Sequence, residues 1–253
     1  MSLYLVHIPC DMRYLKLWGA RRNLIAKGIF DEGFALHKLL SESFGARVLQ
    51  PFRLFSSVRG RQGSIYAYCN TNASELRDLA QSFAFPEVHK VIDLNLLSSK
   101  KMPSQLRDKQ RLGFDIRVRP IRRSRLEFDS RSGTQGERRS SRSEIDSYAW
   151  ERNRSNSNRQ GYTSNQELTR ELVYRNWMLE RLGSAAILEG CSLHSFKRST
   201  VIRGDFSLTE GPDVILHGTV SVQDSDRFKH LLKNGVGRHR AFGYGMLLLR
   251  PPR

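Results

Sequence analysis

Residues 235–249 read GVGRHRAFGYGMLLL. The first eleven hold four glycines, two arginines and a histidine, and an apolar run follows them. The preceding segment SDRFKHLLKNG has the pattern of a short helix, with Asp224 or Ser225 as its cap and Gly235 at its end. The stretch is therefore predicted to be a glycine-rich loop between a helix and a closing β-strand.

This loop does not have the layout of a nucleotide-binding motif. A P-loop needs its glycines between a strand and a helix, followed by Lys and Ser or Thr, and a dinucleotide fingerprint also opens a helix. What remains is a turn whose backbone can approach a ligand closely, with Arg238, His239 and Arg240 available to phosphates. The simpler alternative is a helix end followed by solvated arginines.

Working outward from the loop, each half of the chain shows the order β-α-β-β-α-β. Hydrophobic periodicity and turn residues place strands and helices alternately along both halves. In the first half, strands are predicted at 2–8, 48–58, 64–69 and 88–97, and helices at 31–45 and 72–83. In the second half, strands are predicted at 114–120, 186–193, 214–222 and 246–249, and helices at 165–182 and 225–234. We therefore predict an α+β protein with two tandem ferredoxin-like (RRM-like) domains, residues 1–110 and 111–253.

The second domain carries an insertion, residues 122–160, rich in Arg, Ser, Asn and Gly. Its composition is that of a solvated, disordered segment or of an arginine-rich segment that orders on RNA. Its few apolar residues also allow a small helical or hairpin projection.

The charge balance narrows the class of partner. The 253 residues include 42 Lys and Arg against 25 Asp and Glu, a net charge of +17, which favours binding to phosphate backbones or anionic membranes. No apolar run reaches the roughly 20 residues needed to span a bilayer, and no signal peptide is recognisable. Cys10, Cys69 and Cys191 show neither zinc-site nor disulfide spacing. A cytoplasmic, polyanion-binding protein is expected.

The motifs together resemble a known family. The loop sequence GVGRHRAFGYGMLLL, the helix motif FALH at 34–37, FDIRVRPIRRS at 114–124 and WMLERLGSAAILEGCSL at 177–193 are similar to the repeat-RNA (pre-crRNA) processing endoribonucleases of CRISPR systems. The likeness is greatest to the CasE branch of type I-E, with the processing nucleases of type IV systems a close second. It covers most of the chain except the insertion.

This resemblance implies an activity. Enzymes of this family bind the repeat stem-loop and cut at the base of the 3′ side of its stem without a metal ion or cofactor. The RNA's own 2′-OH attacks the phosphorus, giving a 2′,3′-cyclic phosphate, and the protein keeps the mature crRNA. The implied partners are the CRISPR repeat RNA and other subunits of an effector complex, in a prokaryotic cytoplasm.

The resemblance also points to site residues. The family's histidine on the first crossover helix corresponds to His37, which on sequence alone is equally readable as a partly buried structural residue. The family's helper tyrosine, three residues earlier, is replaced by Phe34. Arg21 and Arg22, just before this helix, and Arg240 of the loop are predicted to stabilise charge at the catalytic centre. The predicted RNA contacts are Arg21, Arg117, Arg119, Arg122, Arg123, Lys197, Arg198, Arg203, Arg238 and His239.

Two other functions remain open at this point. A catalytically silent crRNA-binding subunit would bind the hairpin through the same surfaces but not cut it. A general RNA-binding protein would explain the charge, but not the duplicated fold order with the terminal glycine motif.

Overall fold

A computed structural model describes residues 2–56, 61–125, 142–157, 168–202 and 207–252. The described chain forms two four-stranded antiparallel sheets, each covered on one face by helices. Within these ranges, no helix is long and apolar enough to cross a membrane.

The first sheet has the strand order β4-β5-β1-β6. Its strands are β1 (Tyr4–Asp11), β4 (Phe52–Ser56), β5 (Gln62–Cys69) and β6 (Ser98–Lys101). The helices are α1 (Met12–Arg21), α2 (Glu32–Phe44) and α3 (Ala73–Phe83). A two-residue ladder, β2 (Ile25–Ala26) with β3 (Ile29–Phe30), joins α1 to α2, and a 3₁₀ helix (Pro86–Lys90) follows α3.

The second sheet repeats this topology in the order β10-β11-β7-β12. Its strands are β7 (Arg111–Val118), β10 (Ala186–Ile202), β11 (Leu208–Val222) and β12 (Leu247–Arg250). Its crossover helices are α5 (Arg170–Leu182) and α6 (Ser225–Asn234). The insertion contributes the hairpin β8 (Ile121–Arg125) and β9 (Arg142–Asp146), followed by α4 (Ser147–Ser157).

Both sheets have the ferredoxin-like order, with the first strand of each unit in the middle beside the third. The predicted tandem α+β fold is therefore confirmed. The boundary at residues 110 and 111 stays a prediction.

The strand predicted at 88–97 was wrong: these residues form a 3₁₀ turn and a loop in which Val88 and Val91 are buried, and the edge strand is Ser98–Lys101 instead. The segment after β1, for which no element was predicted, forms α1, capped by Asp11. The strand predicted at 186–193 continues as far as Ile202. The turn expected between this strand and the next would fall on residues 203–206, which lie outside the described residues.

Helix α2 is fixed at both ends. The Asp31 side chain accepts a hydrogen bond from the Phe34 amide at the start of the helix, and Gly45 ends it. The other Asp31 carboxylate oxygen accepts from the Ile202 amide at 2.8 Å, so the helix start is tied to the second sheet. Leu36, Leu40 and their neighbours bury the opposite face in the first core.

Residues 114–120 (FDIRVRP) alternate apolar and charged side chains, a pattern that predicts a strand with one exposed basic face. In the structure that face of β7 is covered. Asp115 accepts hydrogen bonds from Arg250 and His217 and lies 3.5 Å from the buried Arg53 of β4. Arg117 is paired with Asp213, and Arg119 is only 1% exposed. Period-two alternation was read correctly, but the charged face meets the first sheet and a loop rather than solvent.

Candidate active site

A cleft of about 1480 Å³ lies where α2, β9, the start of β11 and the loop 235–245 meet. The loop and the helix thus bring together residues from opposite ends of the sequence. Among the residues lining the cleft are His37, Gln50, Glu144, Arg238, His239, Arg240 and Phe242. The structure therefore places His37, predicted on α2, beside the glycine-rich loop.

The His37 ring is held by two neighbours. Gln50 Nε2 lies 3.4 Å from His37 Nδ1, and the Phe242 ring meets the imidazole edge-on with centroids 4.9 Å apart. The amide can donate to the ring or, turned over, accept from it, so both neutral tautomers are compatible with this contact. Burial, reinforced by the charge of Lys38, lowers the pKa of His37 below 6.5. Its imidazole is therefore neutral at pH 7.

The loop is pressed against α2 by backbone contact. A Cβ placed on Gly33 would lie 2.4 Å from the Phe242 carbonyl oxygen, so only glycine permits this approach. The Phe242 ring also stacks on Phe34, centroid to centroid 6.3 Å. Phe34 is 1% exposed, so the residue at the family's tyrosine position packs the loop and offers no hydroxyl.

The two ends of the loop are joined to each other and to β7. The Val236 amide donates to the Gly245 carbonyl, and the Gly245 amide donates to the Arg117 carbonyl at 2.7 Å. Gly245 has φ +79°, and a Cβ there would lie 2.4 Å from the Val236 carbonyl oxygen. The glycine spacing thus builds a closed loop with fixed ends.

Glu144 of the insertion holds the middle of the loop. Its two carboxylate oxygens accept from Arg238 Nε at 2.9 Å and His239 Nε2 at 2.8 Å. Burial alone would raise the pKa of Glu144, but the hydrogen bond and charge of His239, with those of Arg238, lower it to about 2. The carboxylate therefore stays ionised and restrains both side chains.

The two arginines predicted to be catalytic are separated. Arg240 lines the cleft, is exposed, and donates to the Asn234 carbonyl at 2.7 Å. Arg22 lies at the end of α1, over the rings of Trp18 and Phe85, with a 3.4 Å ion pair to Glu42.

Among the described residues that line the cleft, neither Arg21 nor Arg22 is found, so the structure does not bring these two arginines to His37. Their predicted role beside the histidine therefore lacks geometric support.

The predicted RNA-binding cations fall into distinct groups. Lys197 and Arg198 lie on the outer half of the long β10–β11 hairpin, with side chains 66% and 55% exposed. Arg203 lies outside the described residues. Arg238 and His239 border the cleft but are held by Glu144.

The four remaining predicted contacts are on β7 and in the segment that follows it. Arg117 makes a bidentate pair with Asp213, at 2.7 and 2.6 Å, and its guanidinium stacks on Tyr244. Arg119 is buried against Tyr244 and the carbonyls of Ser199 and Thr209. These two arginines are therefore held by contacts within the protein, Arg119 buried and Arg117 partly exposed, and their role as RNA contacts stays a prediction.

Arg122 and Arg123 have a different environment, on β8 of the insertion. Arg123 is exposed, and Arg122 is partly exposed beside Glu180. Both stay predicted RNA contacts.

Sequence reasoning did not identify Gln50, which contacts His37, or Glu144, which binds Arg238 and His239. Gln50 follows a helix end in a polar turn and has no distinctive spacing. Glu144 had a usable signal: EIDSYAW at 144–150 interrupts the Arg/Ser-rich composition with acidic and apolar residues. That change of composition marks a structured piece of the insertion.

The sequence profile of a family described as CRISPR associated protein matches residues 3–251. Comparison with curated protein sequences gave no match.

Solved structures share the fold at low identity. The CRISPR endoribonuclease Cse3 bound to a 19 nt RNA has 17% identity and a TM-score of 0.62, over 99% of this chain and 100% of that one. Cas6e from Escherichia coli K-12 has 16% identity and a TM-score of 0.58, over 98% and 99%. A chain of a CRISPR RNA-guided surveillance complex has 15% identity and a TM-score of 0.51, over 98% and 99%. At these identities the likeness is one of fold.

Proposed function

The chain belongs to the CRISPR-associated protein family, and from this premise we propose that it is a metal-independent endoribonuclease that matures CRISPR RNA. It binds the repeat stem-loop and cuts at the base of the 3′ side of the stem. The observation that carries the proposal is that α2 and the glycine-rich loop line the same cleft. His37 of α2 contacts the loop, and the exposed Arg240 of the loop borders the same space.

The chemistry needs one nucleophile, which the RNA supplies. The 2′-oxygen attacks the adjacent phosphorus, the bond from phosphorus to the 5′-oxygen breaks, and the products carry a 2′,3′-cyclic phosphate and a 5′-OH. The protein aligns the three atoms, accepts the 2′-OH proton and neutralises charge on the phosphorane, and water supplies the proton that the leaving 5′-oxygen takes up.

We assign the proton acceptor to His37. Its lowered pKa keeps the imidazole neutral at pH 7, which suits a base. Gln50 and Phe242 hold the ring in place. Arg240, exposed at the cleft, is placed to stabilise the phosphorane. Phe34 cannot supply a proton to the leaving oxygen.

The hairpin β10–β11 supports the proposed RNA binding. Lys197 and Arg198 project from its outer half, where contacts to an A-form stem read shape through phosphate and sugar. We propose that the protein keeps its product and joins it to other effector subunits in the prokaryotic cytoplasm, as its family membership suggests.

The test is cleavage of a repeat hairpin RNA at stoichiometric protein in the presence of EDTA. We expect one cut, a cyclic phosphate end, and no cut when the scissile nucleotide carries a 2′-deoxy substitution. Cutting of the deoxy RNA would rule out the 2′-OH mechanism.

A second candidate function, binding of crRNA without cleavage, is favoured by Phe34, which leaves the site one hydroxyl short of the family pattern. Tight binding of the hairpin with the RNA intact after long incubation would establish this alternative.

A further inference from the structure

A second pocket, of about 620 Å³, lies beside the cleft. It shares Gly237, Arg238 and Arg240 with the cleft, so the glycine-rich loop forms a wall of both. The insertion completes it with Arg122 and Arg123 of β8 and Trp150 of α4, while Arg181 comes from the end of α5. Five arginines and one tryptophan thus converge on a space created by the insertion.

The positive charge of this pocket is only partly compensated. Arg122 is paired with Glu180 at 2.8 Å and lies 3.6 Å from Glu151, and Arg238 is paired with Glu144. Within the described ranges of the chain, the other three arginines make no ion pair. In addition, the Nε of Arg122 is buried without a hydrogen-bond partner. The pocket therefore carries surplus charge and an unused donor, both suited to a phosphate.

Trp150 adds a surface for a base. It lines the pocket, is partly exposed, and belongs to the first turns of α4. An aromatic ring among arginines is the combination that binds unpaired nucleotides, with bases on the ring and phosphates on the cations. A stem would instead be read across a broad surface, whereas a pocket of this volume suits a small ligand.

We propose that this pocket binds one or two unpaired nucleotides of the RNA strand that flanks the cleaved phosphate. The inference rests on the proposed RNA substrate. Arg238 and Arg240 border both spaces, so a strand leaving the cleft over the loop enters the pocket directly. The base stacks on Trp150, and Arg123 and Arg181 bind the phosphates.

The experiment measures binding rather than cutting, so its result is independent of catalysis. The probes are a 2′-deoxy-blocked repeat hairpin with a four-nucleotide unpaired flank, the same hairpin without the flank, and an unpaired RNA hexamer alone. For Trp150→Ala we expect the flanked hairpin and the hexamer to bind about 5- to 150-fold more weakly, from the usual strength of base stacking. The flankless hairpin should bind as it does to the wild type, and Trp150→Phe should restore most of the loss.

The double variant Arg123→Gln/Arg181→Gln tests the phosphate contacts. For this variant, the slope of log K against log salt concentration should be shallower by about 1.4 with the flanked hairpin and unchanged with the flankless one. Each phosphate contact to a single strand contributes about 0.7 to that slope, and the variant removes two. Arg152→Gln/Arg154→Gln removes equal charge from exposed positions of α4 outside the pocket and should leave that slope unchanged.

Two results would overturn the inference. One is equal loss for flanked and flankless hairpins, which would make these residues stem contacts. The other is that Trp150→Ala binds the hexamer as tightly as the wild type does, which would show that the pocket does not bind unpaired nucleotides. If the wild type binds the hexamer through Trp150 but ignores the repeat hairpin, the pocket is upheld and the proposed function fails.

Discussion

The contact between the insertion and the loop can be tested by Glu144→Gln. The glutamine keeps the size of the side chain but removes the charge that holds Arg238 and His239. Lowering the pKa of Glu144 from 4.5 to about 2 corresponds to about 3 kcal/mol. Because solvent reaches part of the side chain, we expect a loss of about 2 kcal/mol in the free energy of unfolding, and a Tm lower by about 4–8 °C.

The pH dependence follows from the same shift. A carboxyl whose pKa is lower in the folded protein stabilises it fully above the unfolded pKa, and this stabilisation disappears as the pH falls toward the folded pKa. The difference between wild type and Glu144→Gln should therefore be constant from pH 7 to about 5.5. It should fall by more than half by about pH 3.

The assay is denaturant unfolding at several pH values, with Glu210→Gln as the control. Glu210 also lines the cleft, but its ion pair with Arg198 is exposed, so its removal should change the free energy of unfolding far less than the removal of the Glu144 charge. An equal penalty for Glu144→Gln at pH 3 and pH 7, or the same penalty for both variants at pH 7, would refute the reasoning.

Three further substitutions probe the site. The wild-type single-turnover rate should fall as the pH drops through the pKa of His37, which lies below 6.5. His37→Gln should abolish cutting but keep the affinity for the hairpin. A rate that falls as the pH rises would instead make His37 the proton donor. Asp213→Asn removes the charge that accepts two hydrogen bonds from the partly exposed Arg117, which should cost about 1.5–3 kcal/mol in denaturant unfolding. A penalty below about 0.5 kcal/mol would contradict that pairing. Gly33→Ala should push the Phe242 carbonyl away, so that cleavage in a gel assay slows more than RNA binding weakens. The control Gly190→Ala should change neither, because a Cβ there meets nothing within 4 Å. Equal cleavage rates for the two variants would argue against the close approach of Gly33 to the loop.

The fold was largely predictable because its signals are local. The cap at Asp31 and the apolar spacing of Leu36 and Leu40 define α2, and the same kinds of signal define the other crossover helices. The edge strand after α3 was misplaced because Ser98–Lys101 carries no apolar alternation. Edge strands with polar side chains lack the pattern on which such a prediction depends.

The site was predictable only in part. The glycine-rich loop was identified from its own sequence and His37 from the family resemblance, and the structure places them side by side. Arg117 and Arg119 were misread because alternation reports two faces of a strand but not what covers each face. Composition marks residues 144–150 as a structured piece of the insertion, but it does not show that Glu144 binds Arg238 and His239, because that contact joins residues about 95 positions apart.

The approach of Gly33 to the Phe242 carbonyl has an evolutionary consequence. The helix residue and the loop residue belong to different halves of the duplicated fold, so neither half is free to change there alone. A relative with a larger residue at the helix position must have acquired a compensating shift in its loop. In an alignment, a residue other than glycine at position 33 should therefore coincide with a changed length or course of the loop, because the contact is with the backbone carbonyl of residue 242.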